Sequence, residues 1–250
     1  MKITTLGTSH GDPTLTRFNT STLLETGANG YLFDAGGPTS ALLIRRGFDL
    51  NRLKAIFITH MHEDHYAGLS GIIKHQVKKS APEVTTTIYL PEAEAKKAIH
   101  NFVAAAHRPI PESKIHYATI TPGPFYDDGT LRLTAVPTRH FGNENRDFPS
   151  YAFVVEAEGK KLLYTGDLRS DFSDFPEAAC EPGMTCFCEL THYRLEDALP
   201  VFRRLPLVRL VFTHIGDYWQ EKGAEERFRA MTASLPYPAS IADDGDEFIL

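Results

Sequence analysis

The sequence predicts an α/β protein in which two β-rich halves, each running out into strand–helix units, make a sandwich of sheets with helices outside. Three observations carry this. Short β-branched and apolar runs separated by turn residues open each half, and strand and helix patterns then alternate in both. Nothing divides the 250 residues into separate parts: there is no linker rich in Gly, Pro and Ser, no low-complexity tract and no repeat of about 20 to 50 residues. A single domain over residues 1–250 is expected.

In chain order, Lys2–Leu6, Ser21–Thr26 and Tyr31–Asp34 read as strands, parted by the polar loop Gly7–Thr20 and the turn Gly27–Gly30, which is an antiparallel opening. A helix over Pro38–Arg46 is ended by Gly47, and the apolar strand Ala55–Thr59 runs directly into His60. Helices over Tyr66–Lys79 and Glu92–Ala106 flank a short strand, Thr87–Leu90; the second has an Ala-rich composition and acidic residues in its first turn. The second half repeats the style. Strands Leu131–Val136, Tyr151–Ala157 and Lys161–Thr165, the last two joined as a hairpin, precede strand Thr185–Leu190, helix Leu195–Arg204, strand Leu207–Thr213, helix Glu221–Ser234 and an extended Glu247–Leu250.

Composition narrows the class. With 42% hydrophobic and 23% charged residues the chain has the content of a folded protein rather than a disordered one. Its 26 basic and 32 acidic residues give a net charge of -6, which argues against a general surface for nucleic acid. No apolar run has the pattern of a secretory signal or the length of a membrane span, so a cytoplasmic protein is expected. Cys180, Cys186 and Cys188 crowd into nine residues, and the alternation around Phe187 reads as buried thiols on one face of a strand.

The 11 histidines are not scattered. His60-Met61-His62-Glu63-Asp64-His65 stands where a buried strand stops and a helix begins, and a chance match to that spacing is expected in roughly one such chain in a thousand. Extended backbone points the imidazoles of His60 and His62 the same way, while the turn at Asp64 and His65 aims elsewhere. One motif can therefore serve two metals. Burying these groups together without a cation would cost several kcal/mol, whereas coordination uses neutral imidazole and ionised carboxylate as they are. Further ligand types end other strands: His140 after Leu131–Val136, Asp167 after Lys161–Thr165 and His214 after Leu207–Thr213.

With these residues in place the sequence resembles the metallo-β-lactamase-fold hydrolases through nearly its whole length. Asp34 in Phe-Asp-Ala-Gly-Gly matches the first of five ordered motifs, His60–His65 the second, and His140, Asp167 and His214 the third to fifth. The resemblance implies a four-layer αββα sandwich. It also implies one metal on His60, His62 and His140, another on Asp64, His65 and His214, and Asp167 between them. Within the superfamily the chain is similar to the ribonuclease Z-like and phosphodiesterase branch: Leu6-Gly7-Thr8-Ser9, Gly11, Pro13-Thr14, Arg17, Asn19 and Ser21 resemble its N-terminal strand and loop, and Pro149-Ser150-Tyr151 follows the third-motif histidine as it does there. Cys188-Glu189-Leu190-Thr191-His192 is similar to the branch's acidic loop, which places His192 near its proton-donating histidine. The chain departs in one respect. Where enzymes that process tRNA carry a Gly- and Pro-rich arm, Glu92–Arg108 reads as an ordinary helix. A homodimer is what the resemblance suggests.

These readings imply two divalent ions, zinc first, with manganese or iron as alternatives. The expected activity is a phosphodiesterase that uses a metal-bridging hydroxide on a small anionic or nucleotide-like phosphodiester, with extended nucleic acid and membrane disfavoured as partners. Asp64 would orient the hydroxide, and His192 with Glu189 would protonate the leaving oxygen. The same centre could hydrolyse a lactone or thioester, process RNA 3′ ends, or bind metal without catalysis. His10, Arg17 and Arg139 are weaker candidates for substrate contact, each with a structural alternative, and His75, His100, His107 and His116 read as solvated.

Overall fold

Strand pairing in the first unit starts from β1 (Lys2–Gly7), whose partners are β2 (Ser21–Thr26) on one side and β14 (Glu247–Ile249) on the other, both antiparallel. The computed structural model describes residues 1–107, 109–142 and 148–250, in two compact units: Met1–Thr121 with Asp244–Ile249, and Pro122–Asp243 with Leu250. In the first unit β3 (Asn29–Phe33) pairs antiparallel with β2, and β4 (Leu53–Phe57), β5 (Thr86–Leu90) and β6 (Ile115–Thr119) follow in parallel, giving the order β14-β1-β2-β3-β4-β5-β6.

The second unit repeats this pattern of pairings. β7 (Gly123–Asp127), β8 (Arg132–Thr138), β9 (Ser150–Ala157) and β10 (Lys160–Tyr164) pair antiparallel in turn; β11 (Thr185–Leu190), β12 (Arg209–Ile215) and β13 (Ala239–Ile241) then add in parallel. Each sheet thus has three antiparallel pairings followed by three parallel ones. Parallel neighbours need long crossovers, α-helical here except between β10 and β11, and those helices follow the apolar stripes. In α3 (Leu69–Lys79) Leu69, Ile72, Ile73 and Gln76 are buried, and in α5 (Leu195–Phe202) Leu195, Ala198, Leu199 and Phe202, both at the i, i+3, i+4, i+7 spacing. The longer of the remaining helices are α1 (Thr39–Arg45), α4 (Ala93–Ala104) and α6 (Ala224–Thr232).

Three kinds of difference from the sequence reading each have a local reason. The helix expected over Tyr66–Lys79 is two: a single turn α2 (Glu63–Tyr66) and α3. Between them Gly68 donates its N–H to Ala35 O at 2.8 Å, and a Cβ there would lie 2.5 Å from Gly36 O, so the backbone of the first motif passes where a continuous helix would carry a side chain. Strand β3 stops at Phe33, one residue short, because Asp34 has a left-handed backbone with φ 55°. Finally β6, β7 and β13 were not expected as strands. All three are outermost in their sheets, where only one edge is paired and the apolar pattern is weak, and β7 carries Pro124, an edge-strand residue.

The Glu92–Arg108 stretch is α4 through Ala104; Arg108 itself lies outside the described residues. Cys186 and Cys188 are buried on β11, and burial pushes the Cys180 thiol up to about 12 and that of Cys186 well above the usual thiol range. That leaves Cys186 and Cys188 as core residues, with Cys180 half-buried against the same core. Among the described residues no helix is long and apolar enough to cross a membrane.

Candidate metal centre

In the first unit the motif is built on the ends of β3 and β4. Asp34, fully buried, has its carboxylate filled by donors: Oδ1 accepts from Thr59 N at 2.8 Å, and Oδ2 lies 2.9 Å from His65 Nδ1. A carboxylate only accepts, so Nδ1 of His65 carries the hydrogen and its Nε2 keeps the lone pair. Thr59 passes the same constraint to His60. Its hydroxyl donates to Asp34 at 3.0 Å, so it accepts from His60 Nδ1, also at 3.0 Å, and leaves His60 Nε2 as the acceptor nitrogen. His60 Nε2 in turn lies 3.0 Å from His62 Nδ1. Two nitrogens on one tetrahedral zinc would be ~3.3 Å apart. Asp64 is buried on α2 with Oδ2 3.3 Å from His65 Nε2.

Two close approaches hold this arrangement. His65 O accepts from Ala35 N at 2.7 Å, and Gly36 packs so tightly that a Cβ on it would meet Asp64 O at 2.0 Å and Asn19 Cβ at 2.6 Å. Gly36→Ala is therefore expected to destabilise the fold by about 1 to 3 kcal/mol through backbone displacement. Gly11→Ala, with nothing within 4 Å of the added carbon, should leave the thermal midpoint unchanged. Equal midpoints for the two variants would contradict this packing. Arg17, by contrast, is buried and donates to Thr8 Oγ1, while Asp244 accepts from the amides of Thr8 and Phe18 at 2.8 and 2.7 Å. That is a structural role. His10 lies on the same loop, its carbonyl accepting from Asn19 Nδ2 at 3.1 Å.

In the second unit four strand ends contribute. His140 follows β8; its Nδ1 donates to Leu168 O at 3.0 Å, so Nε2 is again the acceptor, 3.8 Å from Asp167 Oδ2. His214 sits at an irregularity of β12: Glu189 pairs with Thr213 and Leu190 with Ile215, which leaves His214 as the extra residue, at φ 52°. The Thr191 hydroxyl donates to His214 O and accepts from its Nδ1 at 3.2 Å, so the ring presents Nε2, 3.5 Å from Asp167 Oδ1. Asp34 and His214 are both non-glycine residues at positive φ, a strained state that costs of order 1–3 kcal/mol and persists where contacts over-determine it.

Glu189 is 1% exposed and fully engaged: its carboxylate accepts from Leu168 N at 2.7 Å, Thr191 N at 2.9 Å, His192 N at 3.0 Å and His192 Nδ1 at 2.9 Å. His192, whose side chain is 30% exposed, therefore also presents Nε2 outward. One nitrogen each from His192 and His214 and one oxygen of Asp167 lie within 4.8 Å of one another. Arg139 is exposed, and its amide donates to Asp174 at 2.7 Å. Sequence reasoning did not reach Asp174 or the Leu168 carbonyl, and it met Thr191 only as part of the Cys188–His192 resemblance, without its bond to the His214 ring. Asp174 and Leu168 act through main-chain groups, which carry no motif.

Solved structures of the same fold cover the chain end to end. It is similar to the metallo-β-lactamase fold protein YhfI from Bacillus subtilis (TM-score 0.79, 18% identity, 99% of each chain) and to the short form of human tRNase Z (TM-score 0.76, 22% identity, 100% of this chain and 99% of that one). By sequence it is 28% identical over 170 residues to a ribonuclease Z of Bradyrhizobium diazoefficiens, matching 67% of this chain and 54% of that one. The chain spans about half the length of the curated relatives it matches. Two mixed sheets with their helices and these ligand-type strand ends define a metallo-β-lactamase-fold protein, the α/β class expected from the sequence. Within it, the family model described as Anti-Pycsar protein Apyc1 matches residues 1–191, and the chain belongs to that family.

Proposed function

We propose that the chain, as one hydrolase domain over residues 1–250, is a dinuclear metal-dependent phosphodiesterase whose ions are held by His60, His62, Asp64, His65, His140, Asp167 and His214. The observation that carries the reading is Asp167: each of its carboxylate oxygens faces the Nε2 of a different histidine, His140 at 3.8 Å and His214 at 3.5 Å. Both imidazoles have their Nδ1–H engaged elsewhere, so a carboxylate flanked by two lone pairs has the chemistry of a bridging ligand. The donor set, mixed imidazole nitrogen and carboxylate oxygen, fits zinc, with manganese or iron as alternatives.

When bound, two such ions lower the pKa of a coordinated water and withdraw charge from a phosphoryl oxygen. The chain's own residues do the rest. Asp64 accepts a hydrogen bond from the attacking water and orients it. His192, with Nδ1–H held by Glu189, carries the proton for the leaving oxygen on Nε2; on donating it the ring becomes neutral with the hydrogen still at Nδ1. Glu189 is a positioning residue here, since it also fixes the amides of Leu168, Thr191 and His192. The net charge of -6 favours a small or nucleotide-like phosphodiester over a long polyanion.

The test is hydrolysis by the metal-reconstituted protein of a panel of alkyl and nitrophenyl phosphodiesters, lactones and thioesters, with His62→Ala as the blank. Phosphodiesters should be preferred, and His192→Ala should slow the alkyl ester by about 100-fold or more while a nitrophenyl ester of the same phosphate changes little. Preference for a carbonyl substrate would sink the phosphodiesterase reading; equal loss on both esters would sink the proton-donor role.

A further inference from the structure

Between Asp167 and β11 the chain makes a tight loop whose conformation is anchored from below. Phe172 is buried with a left-handed backbone, φ 57°, a rare state for a bulky residue. Its ring is held among Phe175 (4.9 Å between centroids), Tyr193 (4.4 Å) and Phe202 (5.3 Å), and its amide donates to Arg169 O at 2.9 Å. On the outer side Arg169 forms a two-pronged pair with Asp171, Nε at 3.0 Å and Nη2 at 3.1 Å.

This anchored turn presents one carboxylate inward. Asp174 accepts from Arg139 N through Oδ2 at 2.7 Å and from Arg169 N through Oδ1 at 2.9 Å. Arg139 immediately precedes His140, and Arg169 stands two residues after Asp167. The two chain segments come from β8 and β10, which are not neighbours in the sheet, so no ladder hydrogen bond joins them. Among the described residues of this unit, side chains tie the segments through the His140 Nδ1 bond to Leu168 O, the Asp174 bridge and a long, exposed bond from Arg139 Nη2 to Ser173 Oγ at 3.5 Å.

We infer that Asp174 is a positioning residue that sets the spacing of His140 and Asp167, and so the affinity and geometry of the metal centre. The inference rests on the proposed use of those two residues as ligands. The carboxylate does this by accepting one charge-assisted hydrogen bond from each strand end, with the buried Phe172 fixing where the carboxylate stands. Alanine at 174 would leave two amides to find water, and each ligand loop would relax on its own.

The test is titration of the full chain with Co2+ against a chelating competitor, following the visible spectrum of the bound ion, with thermal melting of the metal-free protein alongside. Asp174→Ala should weaken binding of at least one ion by about 10- to 100-fold and change the spectrum. Asp174→Asn, which keeps one acceptor oxygen, should fall between and carries the comparison if the alanine variant does not fold. Asp171→Ala removes a carboxylate of the same loop that touches neither amide, and should match the parent in both affinity and spectrum. Parent-like affinity and spectrum in Asp174→Ala overturn the inference, as does equal weakening in Asp171→Ala, which would assign the effect to the loop as a whole. A parent chain that takes up no Co2+ overturns the metal-centre reading itself, and a parent that binds with Asp174→Ala unaltered overturns this inference alone.

Discussion

Asp167→Asn is expected to cut hydrolysis of a phosphodiester by about a thousand-fold or more, with fewer than two ions retained per chain after gel filtration. The substitution keeps the side chain's shape, so the packing of β10 and the loop after it should survive. It removes a negative charge from between two imidazole lone pairs and replaces one oxygen with an N–H donor that cannot coordinate. The loss of several kcal/mol of transition-state stabilisation follows from the loss of the ions that supply it. Elemental analysis and turnover measured on the same sample check it: full metal content with activity within tenfold of the parent would remove Asp167 from the centre.

Asp34→Ala should act mainly on stability. Thr59 N, the Thr59 hydroxyl and His65 Nδ1 all donate to this carboxylate, in a site with no exposure. Truncation leaves buried donors without their acceptor, at about 1–3 kcal/mol each, and puts alanine at a positive φ that aspartate tolerates better. We expect a loss of about 3 kcal/mol or more, a fall of roughly 6–12 °C in the melting temperature of a chain this size. Metal affinity should fall as well, because His65 loses the partner that fixes its tautomer. Asp34→Asn should recover the backbone preference but not the metal affinity, since an amide can accept from His65 only by turning its N–H2 toward Thr59. A melting temperature for Asp34→Ala within 2 °C of the parent would show that this carboxylate does not hold the site.

The two variants separate what was legible in the sequence from what was not. Asp167 and the His60–His65 run announce themselves because coordination chemistry needs particular residue types at strand ends, and local spacing reports them. The strands and helices that carry them were also legible where burial imposes a period, as in α3, α5 and β11. Asp174, the Leu168 carbonyl and the break at Gly68 were not. Each depends on where a distant backbone passes, and a main-chain amide or carbonyl leaves no signature in residue type. The same reason hid β6, β7 and β13, whose single paired edge asks little of their side chains. The acidic-loop resemblance points to Glu189 beside His192, yet three of its four hydrogen bonds go to amides, which no residue type in that loop signals.

The strand β14 gives the first unit an unusual dependence on the order of synthesis. β1 can pair with β2 as soon as the chain through Thr26 is free of the ribosome. Its other edge waits for Glu247–Ile249, and the loop that follows it waits for Asp244, whose carboxylate reaches Thr8 across 236 residues of chain. While translation continues, that open edge and the unbraced loop from Thr8 to Asn19 belong to a nascent chain that already carries the His60–His65 motif. A release of the chain before residue 244 would therefore yield a protein with every proposed metal ligand in its sequence and the first sheet still lacking the strand that covers the edge of β1.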